Sequence, residues 1–232
     1  LYRINVAAVT ETDVTGGAAT FDGLRYSYFV HMNRLYAMGT TTGVTPWCID
    51  ATGNALAFTF SGPTLTELMQ GTSYKGRAYV VPRNSTSYWY GGLAFINGAM
   101  TQKEVDIHLT RGGSIQAVGS FTQQGDNTQN LFIVVSTTGE VLLYQGDYPD
   151  SNTWSLYARY FIGKPLGVDC IIYIGGDAHI MCADGIIPVS NLLGNVRNGS
   201  KFAAITDIIG PSWADSVAAW QASTTLIAET WR

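Results

Sequence analysis

Residues 131–147, LFIVVSTTGEVLLYQGD, form the stretch that decides the fold. Two apolar runs flank a tight turn at Thr138 and Gly139, and the second run ends in Gly-Asp. A glycine in the second place of such a turn supplies the positive φ angle that two-residue hairpins require. The stretch therefore predicts a β-hairpin.

Similar hairpins recur along the chain. RLYAMGTTTGVTPWCID at 34–50 turns at Gly43, and AHIMCADGIIPVS at 178–190 turns at Asp184 and Gly185. Gly139 and Gly185 are 46 positions apart, and Gly43 and Gly139 are 96 apart, or twice 48. The copy expected between them is RAYVVPRNSTSYWYGGL at 77–93, with NSTS as its turn.

A period of 46–48 residues with about four strands per period is typical of a β-propeller blade. One four-stranded blade cannot bury both of its faces, whereas blades that stack around an axis can. We therefore expect an all-β array of about four to five antiparallel blades, with central hairpins near 35–50, 77–93, 131–147 and 178–190. The opening LYRINVAAVTETDVTG is interpreted as the end of a further blade. A β-sandwich or barrel is the alternative fold.

Short runs rich in aromatic and β-branched residues mark the individual strands. They are predicted at 25–31, 35–38, 45–49, 55–60, 77–81, 87–90, 94–96, 106–109, 115–121, 131–135, 140–144, 155–161, 170–174, 179–182 and 186–189. The propeller domain is accordingly placed at 1–195.

The last part of the chain, 196–232, loses the strand pattern and is predicted to be helical. A capping box of Ser212 and Asp215 predicts a helix over 212–223, with Trp213, Val217 and Trp220 on one face. A shorter helix is predicted at 201–209. TTLIAETWR at 224–232 is interpreted as a return strand whose partner lies in a longer chain.

Composition excludes several function classes. Only 13% of residues are charged, about half the usual share, and the net charge is −4. Nucleic-acid-binding faces need clustered Lys and Arg, and no such stripe is present. No apolar run reaches the ~18 residues of a membrane helix. Cys48, Cys170 and Cys182 lie in apolar contexts without metal-ligand spacing, which indicates small buried side chains.

Candidate chemistry is sparse in the sequence. Asp177, His179 and Asp184 lie close enough to be an acid–base cluster, although turn aspartates flanking a strand are the favoured interpretation. His31 and His108 each stand alone in a predicted strand. We therefore predict no catalytic, metal or cofactor site.

Two further patterns resemble functional motifs without matching them. GDYPDSNTW at 146–154 lacks the alternation and the distal Glu of a calcium loop, and it lacks the Asp and Gly of a sialidase Asp-box. Arg77, Arg83 and Arg111 are the candidates for a sialidase arginine triad. Tyr88, Trp89, Tyr90 and Trp47 are the candidates for a sugar-stacking platform, with core packing as the alternative role.

Residues 153–193 resemble a recurrent segment in tail proteins of tailed bacteriophages. The pattern comprises Trp154, Gly163, Pro165, Gly167, Gly175, Gly176, Asp177, Asp184, Gly185, Pro188 and Ser190. In such proteins a short helical tail with an ITD-I element follows, and AITDIIGPSW at 204–213 is similar. The likeness extends over about 20–215.

The resemblance implies a β-propeller domain of a nozzle or tail-tube protein, typical of short-tailed phages. It implies a structural role in the virion, without catalysis or cofactor, through contacts with other copies in a ring, such as a hexamer, and with other tail proteins. Sequence-specific nucleic-acid binding and membrane insertion are not expected. The alternatives are a carbohydrate-binding or glycan-hydrolysing propeller, with Asp177 or Asp184 acting on the sugar, and a protein-interaction scaffold outside any virus.

Overall fold

Apolar segments separated by sharp turns at glycine and asparagine form short antiparallel strands along the chain. The computed structural model describes residues 2–5, 10–13, 26–123 and 129–222. Its strands are β1 Tyr2–Asn5, β2 Thr10–Asp13, β3 Tyr26–His31, β4 Arg34–Gly39, β5 Trp47–Ile49, β6 Ala55–Leu56, β7 Phe60–Ser61, β8 Leu68–Tyr74, β9 Arg77–Pro82, β10 Ser87–Tyr90, β11 Gly98–Ala99, β12 Thr101–Glu104, β13 Ile115–Gln123, β14 Gln129–Ser136, β15 Glu140–Gln145, β16 Ser155–Phe161, β17 Ile171–Ile174, β18 Asp177–Cys182, β19 Gly185–Pro188, β20 Arg197–Asn198 and β21 Lys201–Phe202. The helices are α1 Val189–Leu193 and α2 Gly210–Ala222, with 3₁₀ turns at Leu65–Glu67, Asp106–His108 and Asp207–Ile209.

The strands form four antiparallel blades in a β-propeller arrangement, with α2 as a short C-terminal helix. Blade I is β3-β4-β5-β6, blade II is β8-β9-β10-β12, blade III is β13-β14-β15-β16, and blade IV is β17-β18-β19. The recurrent hairpins of the sequence are the second and third strands of these blades. The strands β1 and β2 pair antiparallel, and β7 pairs in parallel with β11.

The first strand of each blade faces the next blade. Thus β3 contacts β8, β8 contacts β13, and β13 contacts β17 and β18. Blade I is joined to the segment that leads into blade IV by Ser27, whose hydroxyl donates a 2.5 Å hydrogen bond to Asp169. Burial raises the pKa of Asp169, and the Ser27 bond opposes that rise.

Three cores fill the spaces between neighbouring blades. Phe29, Tyr36 and Met38 belong to the core between blades I and II. Tyr79, Phe132 and Leu142 belong to the second, and Ile133, Ile180 and Ile187 to the third. Alternate residues of β14 serve different cores, because successive side chains of a strand point to opposite faces. Blade III therefore buries both faces, as the repeat requires.

Several predicted elements are wrong. Residues 94–96 form no strand, because Ala94 adopts a φ of 54° and its amide donates to the Gly76 carbonyl in a turn. Residues 106–109 contain a 3₁₀ turn, in which the Asp106 carboxylate accepts from the Ile107 amide. The predicted helix at 201–209 is instead β21 and a 3₁₀ turn.

The C-terminal helix exists but starts earlier than predicted. Since α2 begins at Gly210, Ser212 lies inside the helix and is not its N-cap; its backbone carbonyl accepts a hydrogen bond from the Ser216 hydroxyl. Trp213 and Val217 are buried, and the Trp213 indole donates to the Cys182 carbonyl at 3.1 Å. The predicted return strand at 224–232 lies outside the described residues.

The three cysteines are buried and free, as predicted. Burial raises the pKa of the Cys182 thiol to about 11 and raises those of Cys48 and Cys170 as well. No helix of the described part is long and apolar enough to cross a membrane.

Candidate functional site

A cleft of about 310 Å³ lies between the outer parts of blades II and III. We call it the interblade cleft. Its walls come from β10, β12 and the Asp106–His108 turn on one side, and from β15, β16 and the loop between them on the other. Tyr88, His108, Tyr144 and Trp154 are among the residues that line it.

The strand alternation of β10 places Tyr88 in this cleft. Tyr88 and Tyr90 share the face toward blade III, whereas Trp89 points to the core between blades I and II. The Tyr88 ring is fully buried and lies 5.3 Å, centroid to centroid, from Phe132. The Tyr88 ring, which was a candidate for sugar stacking, is therefore used for core packing.

The hydroxyl of Tyr88 has no hydrogen-bond partner within the protein. Burial, followed by the neighbouring Tyr144, raises its pKa well above 10, so the phenol is neutral at physiological pH. Buried polar groups in folded proteins nearly always have a partner in protein or ordered water. This hydroxyl is therefore a buried, unsatisfied group beneath the wall of the cleft, without solvent-accessible surface of its own.

A hydrogen-bonded pair lies on the opposite wall. The His108 Nδ1 and the Tyr144 hydroxyl are 2.7 Å apart. Burial and the positive charge of Arg159 lower the pKa of His108, with Asp106 opposing, while burial raises that of Tyr144. Both groups are consequently neutral near pH 7. The Trp154 ring stacks on Tyr144 at 5.4 Å and an interplanar angle of 11°.

Lys103 lies at the rim of the cleft and is paired with a carboxylate. Lys103 Nζ lies 3.0 Å from Asp150 Oδ1, and the Tyr90 hydroxyl donates to the same carboxylate. The bonds from Tyr90 and Lys103 lower the pKa of Asp150. Exposed Glu104 and Ser155 border the mouth.

The GDYPDSNTW segment is the β15–β16 connection and fastens blade III to blade II. Besides the Asp150 contacts, Asp147 lies 3.1 Å from Lys75 Nζ, and the Thr153 hydroxyl donates to Asp147. Its carboxylates are thus engaged in inter-blade contacts and turn formation. Within the described part of the chain, no group of three His, Cys, Asp or Glu residues is placed to hold a metal ion.

The structure does not bring the Asp177, His179 and Asp184 cluster together. Asp177 starts β18 and Asp184 follows its end, roughly 20 Å away at 3.3 Å per residue. Asp177 accepts from the Ser190 hydroxyl at 2.5 Å, and Asp184 accepts from the Gly163 amide at 2.6 Å.

The three arginines also lie apart and serve different contacts. The Arg77 guanidinium stacks over Tyr148, and that of Arg111 over Phe161. Arg83 donates to the Gly39 and Thr40 carbonyls and so ties blade II to blade I. No arginine triad is formed by these residues.

The residues that carry the phage-tail resemblance occupy turn and packing positions. Gly163 lies so close to Asp184 that an added Cβ would come within 2.8 Å of the Asp184 amide nitrogen. A Cβ added at Gly185 would lie 2.5 Å from the Thr206 hydroxyl, and Pro165 forms a β-bridge with Cys182. Gly167, Gly175 and Gly176 have positive φ in turns, as do the blade-turn glycines Gly43 and Gly139, which lie outside this motif. The motif therefore fixes the junction of blade III, blade IV and the C-terminal segment.

Sequence reasoning missed the interblade cleft. It assigned His108 to a strand and Tyr144 to a hairpin, although they are 36 residues apart and meet only through blade packing. The sequence feature that could have pointed to the cleft was Trp154 in the Asp-box-like segment, since its ring stacks on Tyr144.

Fold and cleft together define a β-propeller with a lateral cleft. Comparison with solved structures finds BBS1N, from its complex with ARL6DN, at 10% identity and a TM-score of 0.43 over 64% of this chain. It also finds YCF48 from Cyanidioschyzon merolae at 16% identity and a TM-score of 0.42 over 80%. This chain spans 43% and 59% of those two chains. No protein-family pattern and no curated protein matches it.

Proposed function

We propose that this chain is a non-catalytic structural propeller of a bacteriophage tail, of the nozzle or tail-tube kind, located in the virion. It acts through contacts with other copies in a ring and with other tail proteins. The single observation that carries the proposal is an exposed isoleucine surface on the segment that resembles those tail proteins.

That surface consists of Ile205, Ile208 and Ile209, exposed by 51%, 95% and 53%. The chain leading into it is anchored to blade IV, because the Ile205 amide donates to the Ile186 carbonyl and the Ile186 amide donates to the Thr206 hydroxyl. Contiguous exposed apolar side chains mark protein contact sites. A surface held this firmly supports contact with a neighbouring subunit.

The low charge of the chain supports the same proposal. Charged residues are 13% of the total, and many described ones are engaged within the subunit, as at Lys75–Asp147, Lys103–Asp150 and Lys201–Asp207. A weakly charged surface opposes close packing of identical copies less than a strongly charged one would.

Native mass spectrometry across a concentration series tests assembly. We expect a ring for the wild type and a loss of assembly for Ile208→Lys. Ile107→Lys is the matched control, since Ile107 is 82% exposed but lies on the Asp106–His108 turn. Equal assembly of both variants would contradict the role of the isoleucine surface. Electron cryomicroscopy of the native particle, showing no density for this chain in the tail, would contradict the virion role.

A further inference from the structure

We propose that the isoleucine surface of one copy packs against an apolar surface at the hairpin tips of blades I and II of the next copy. We call this second surface the tip surface; it consists of Met32, Gly76 and Leu93. The inference rests on the proposed assembly of identical copies and names the surface that receives the isoleucines. Its basis is the exposure of the tip surface, the strain in its turns and its position on the propeller.

The tip surface is apolar and accessible. Met32 lies in the β3–β4 turn and is 44% exposed, and Leu93 follows β10 and is 72% exposed. Both side chains reach Gly76 in the β8–β9 turn, since a Cβ added there would lie 3.8 Å from Met32 Cε and 3.1 Å from Leu93 Cδ1. The two side chains therefore adjoin over Gly76 and form one exposed apolar patch, a feature that marks protein contact sites.

The backbone holds this patch in place against an unfavourable conformation. Met32 and Ala94 have φ angles of 48° and 54°, in the left-handed region that a residue with a Cβ rarely adopts. Two-residue hairpin turns usually carry Asn, Asp or Gly there, whereas the β3–β4 turn presents a methionine. The Ala94 amide donates to the Gly76 carbonyl at 2.7 Å and so fixes the preceding Leu93 above the turn. Strain kept at two positions that expose apolar side chains points to a function for that exposure.

The two cations that flank Gly76 are engaged with blade III. Lys75 Nζ lies 3.1 Å from Asp147 Oδ1. The Arg77 guanidinium stacks over the Tyr148 ring at 4.2 Å. An apolar partner at the tip surface therefore contacts methyl groups without having to desolvate either cation, which would oppose the contact.

The tip surface and the isoleucine surface lie on opposite faces of the propeller. The tip surface lies at turns that join the first and second strands of blades I and II. The isoleucine surface lies beside the turn that joins the second and third strands of blade IV, because the Thr206 hydroxyl accepts from the Ile186 amide at the start of β19. Successive strands of an antiparallel blade run in opposite directions, so these two kinds of turn lie at opposite ends of the strands.

This placement requires that the two surfaces pair between separate copies. A contact between different surfaces of identical copies is head-to-tail, and such contacts generate rings when the rotation closes. Ile208 is the most exposed of the isoleucines and reaches furthest towards a partner. Methionine is unbranched and adapts to irregular surfaces, so Met32 suits the receiving side.

Two charge variants, measured by native mass spectrometry over a concentration series, show which surfaces meet. Ile208→Lys and Leu93→Glu each place a charge in the proposed contact, and each alone should raise the concentration needed for assembly about tenfold or more. An equimolar mixture of the two variants should assemble nearly as the wild type does. In a mixed ring the two variants alternate, so that every contact is either wild type or a new lysine against a new glutamate.

Ile107→Glu is the matched control, since Ile107 is exposed but lies on the Asp106–His108 turn. This variant should assemble as the wild type does, and mixing it with Ile208→Lys should not bring the lysine copies into closed rings. Urea midpoints check that each variant is folded. Met32→Glu is a second variant of the tip surface, for use where Leu93→Glu is unstable.

The results separate this contact from the proposed ring. A wild type that stays monomeric at every concentration would contradict the ring and, with it, the contact. Assembly of the wild type, its loss in Ile208→Lys and its persistence in both Leu93→Glu and Met32→Glu would overturn the contact alone, since the isoleucines would then meet another surface or each other. Failure of the mixed variants to assemble, with the wild type assembling, would also overturn the contact and leave the ring.

Discussion

Replacement of Gln70 by methionine removes a side-chain amide that links the inner strands of blades II and III. Gln70 Nε2 donates to the Val118 carbonyl at 2.9 Å, and the Val118 amide donates back to Gln70 Oε1 at 3.0 Å. The side chain is only 7% exposed. The Gln70 amide therefore pairs with the backbone of β13 at its inner edge in the way that a neighbouring strand would.

Methionine fills nearly the same volume, so the cost comes from the two backbone groups of Val118 left without partners. Each buried unsatisfied group costs about 1–3 kcal/mol, and taking ~1.5 for each gives a loss of about 3 kcal/mol in the free energy of unfolding. In a domain of this size that corresponds to a decrease of roughly 6–12 °C in Tm.

Urea unfolding followed by tryptophan fluorescence measures this change. Gln102→Met is the matched control, because exposed Gln102 makes only a 2.9 Å bond to the Ser87 hydroxyl and should lose less than ~0.5 kcal/mol. A loss below ~0.5 kcal/mol for Gln70→Met as well would refute the reasoning. That result would mean that water reaches the Val118 backbone from the propeller axis and forms the hydrogen bonds that the Gln70 amide makes in the wild type.

Three further predictions concern Glu140, the turn glycines and the thiols. Burial of the Glu140 carboxylate raises its pKa, but the hydrogen bonds that it accepts from Thr110 and from the Arg111 amide outweigh this effect and hold the pKa below the usual value. Glu140→Gln should therefore lower the free energy of unfolding by ~2 kcal/mol at pH 7. That difference is fully present above the ordinary Glu pKa of about 4.3 and should shrink as pH falls below it through the depressed folded-state pKa, which a series of urea midpoints taken from pH 7 downward will show. Gly139→Ala should lower Tm more than Gly43→Ala, because both have positive φ but only at Gly139 would a Cβ meet a backbone oxygen, at 2.4 Å. Equal losses would mean that φ strain alone matters. The three buried thiols should react with DTNB only after denaturation; fast labelling of the native protein at pH 8 would contradict their burial.

Hairpins of the blades could be predicted from the sequence because each carries its own turn signal. The central parts of β14 and β15, residues 131–135 and 141–144, are continuous apolar runs separated by the turn at Gly139, so no other part of the chain is needed to recognise them. By contrast, Leu68–Tyr74 escaped prediction. Its sequence, LMQGTSY, has polar and glycine residues where a buried strand should be apolar.

The structure gives the reason for that departure. Gly71 is required because a Cβ there would lie 2.7 Å from the Phe29 ring and 2.8 Å from the Tyr79 carbonyl. Gln70 is required by Val118 of the next blade. Outermost Thr101–Glu104 was missed for a simpler reason, since its side chains are largely exposed and polar.

The interblade cleft shows the limit of local patterns most clearly. Tyr88, His108 and Tyr144 carry no motif in the sequence, and each has an ordinary structural role when considered alone. The His108 imidazole and the Tyr144 hydroxyl meet only because blade II packs against blade III through Tyr79 and Phe132, whose ring centroids lie 4.6 Å apart.

Local patterns along the chain predict the repeating unit, a four-stranded blade with glycine turns and apolar strands. These features depend on backbone φ angles and on side-chain alternation, which act over a few residues. Packing between blades, by contrast, determines which polar side chains bond to a neighbouring blade and which line a cleft. Contacts such as Ser27 with Asp169 join residues 142 positions apart, and no local preference encodes them.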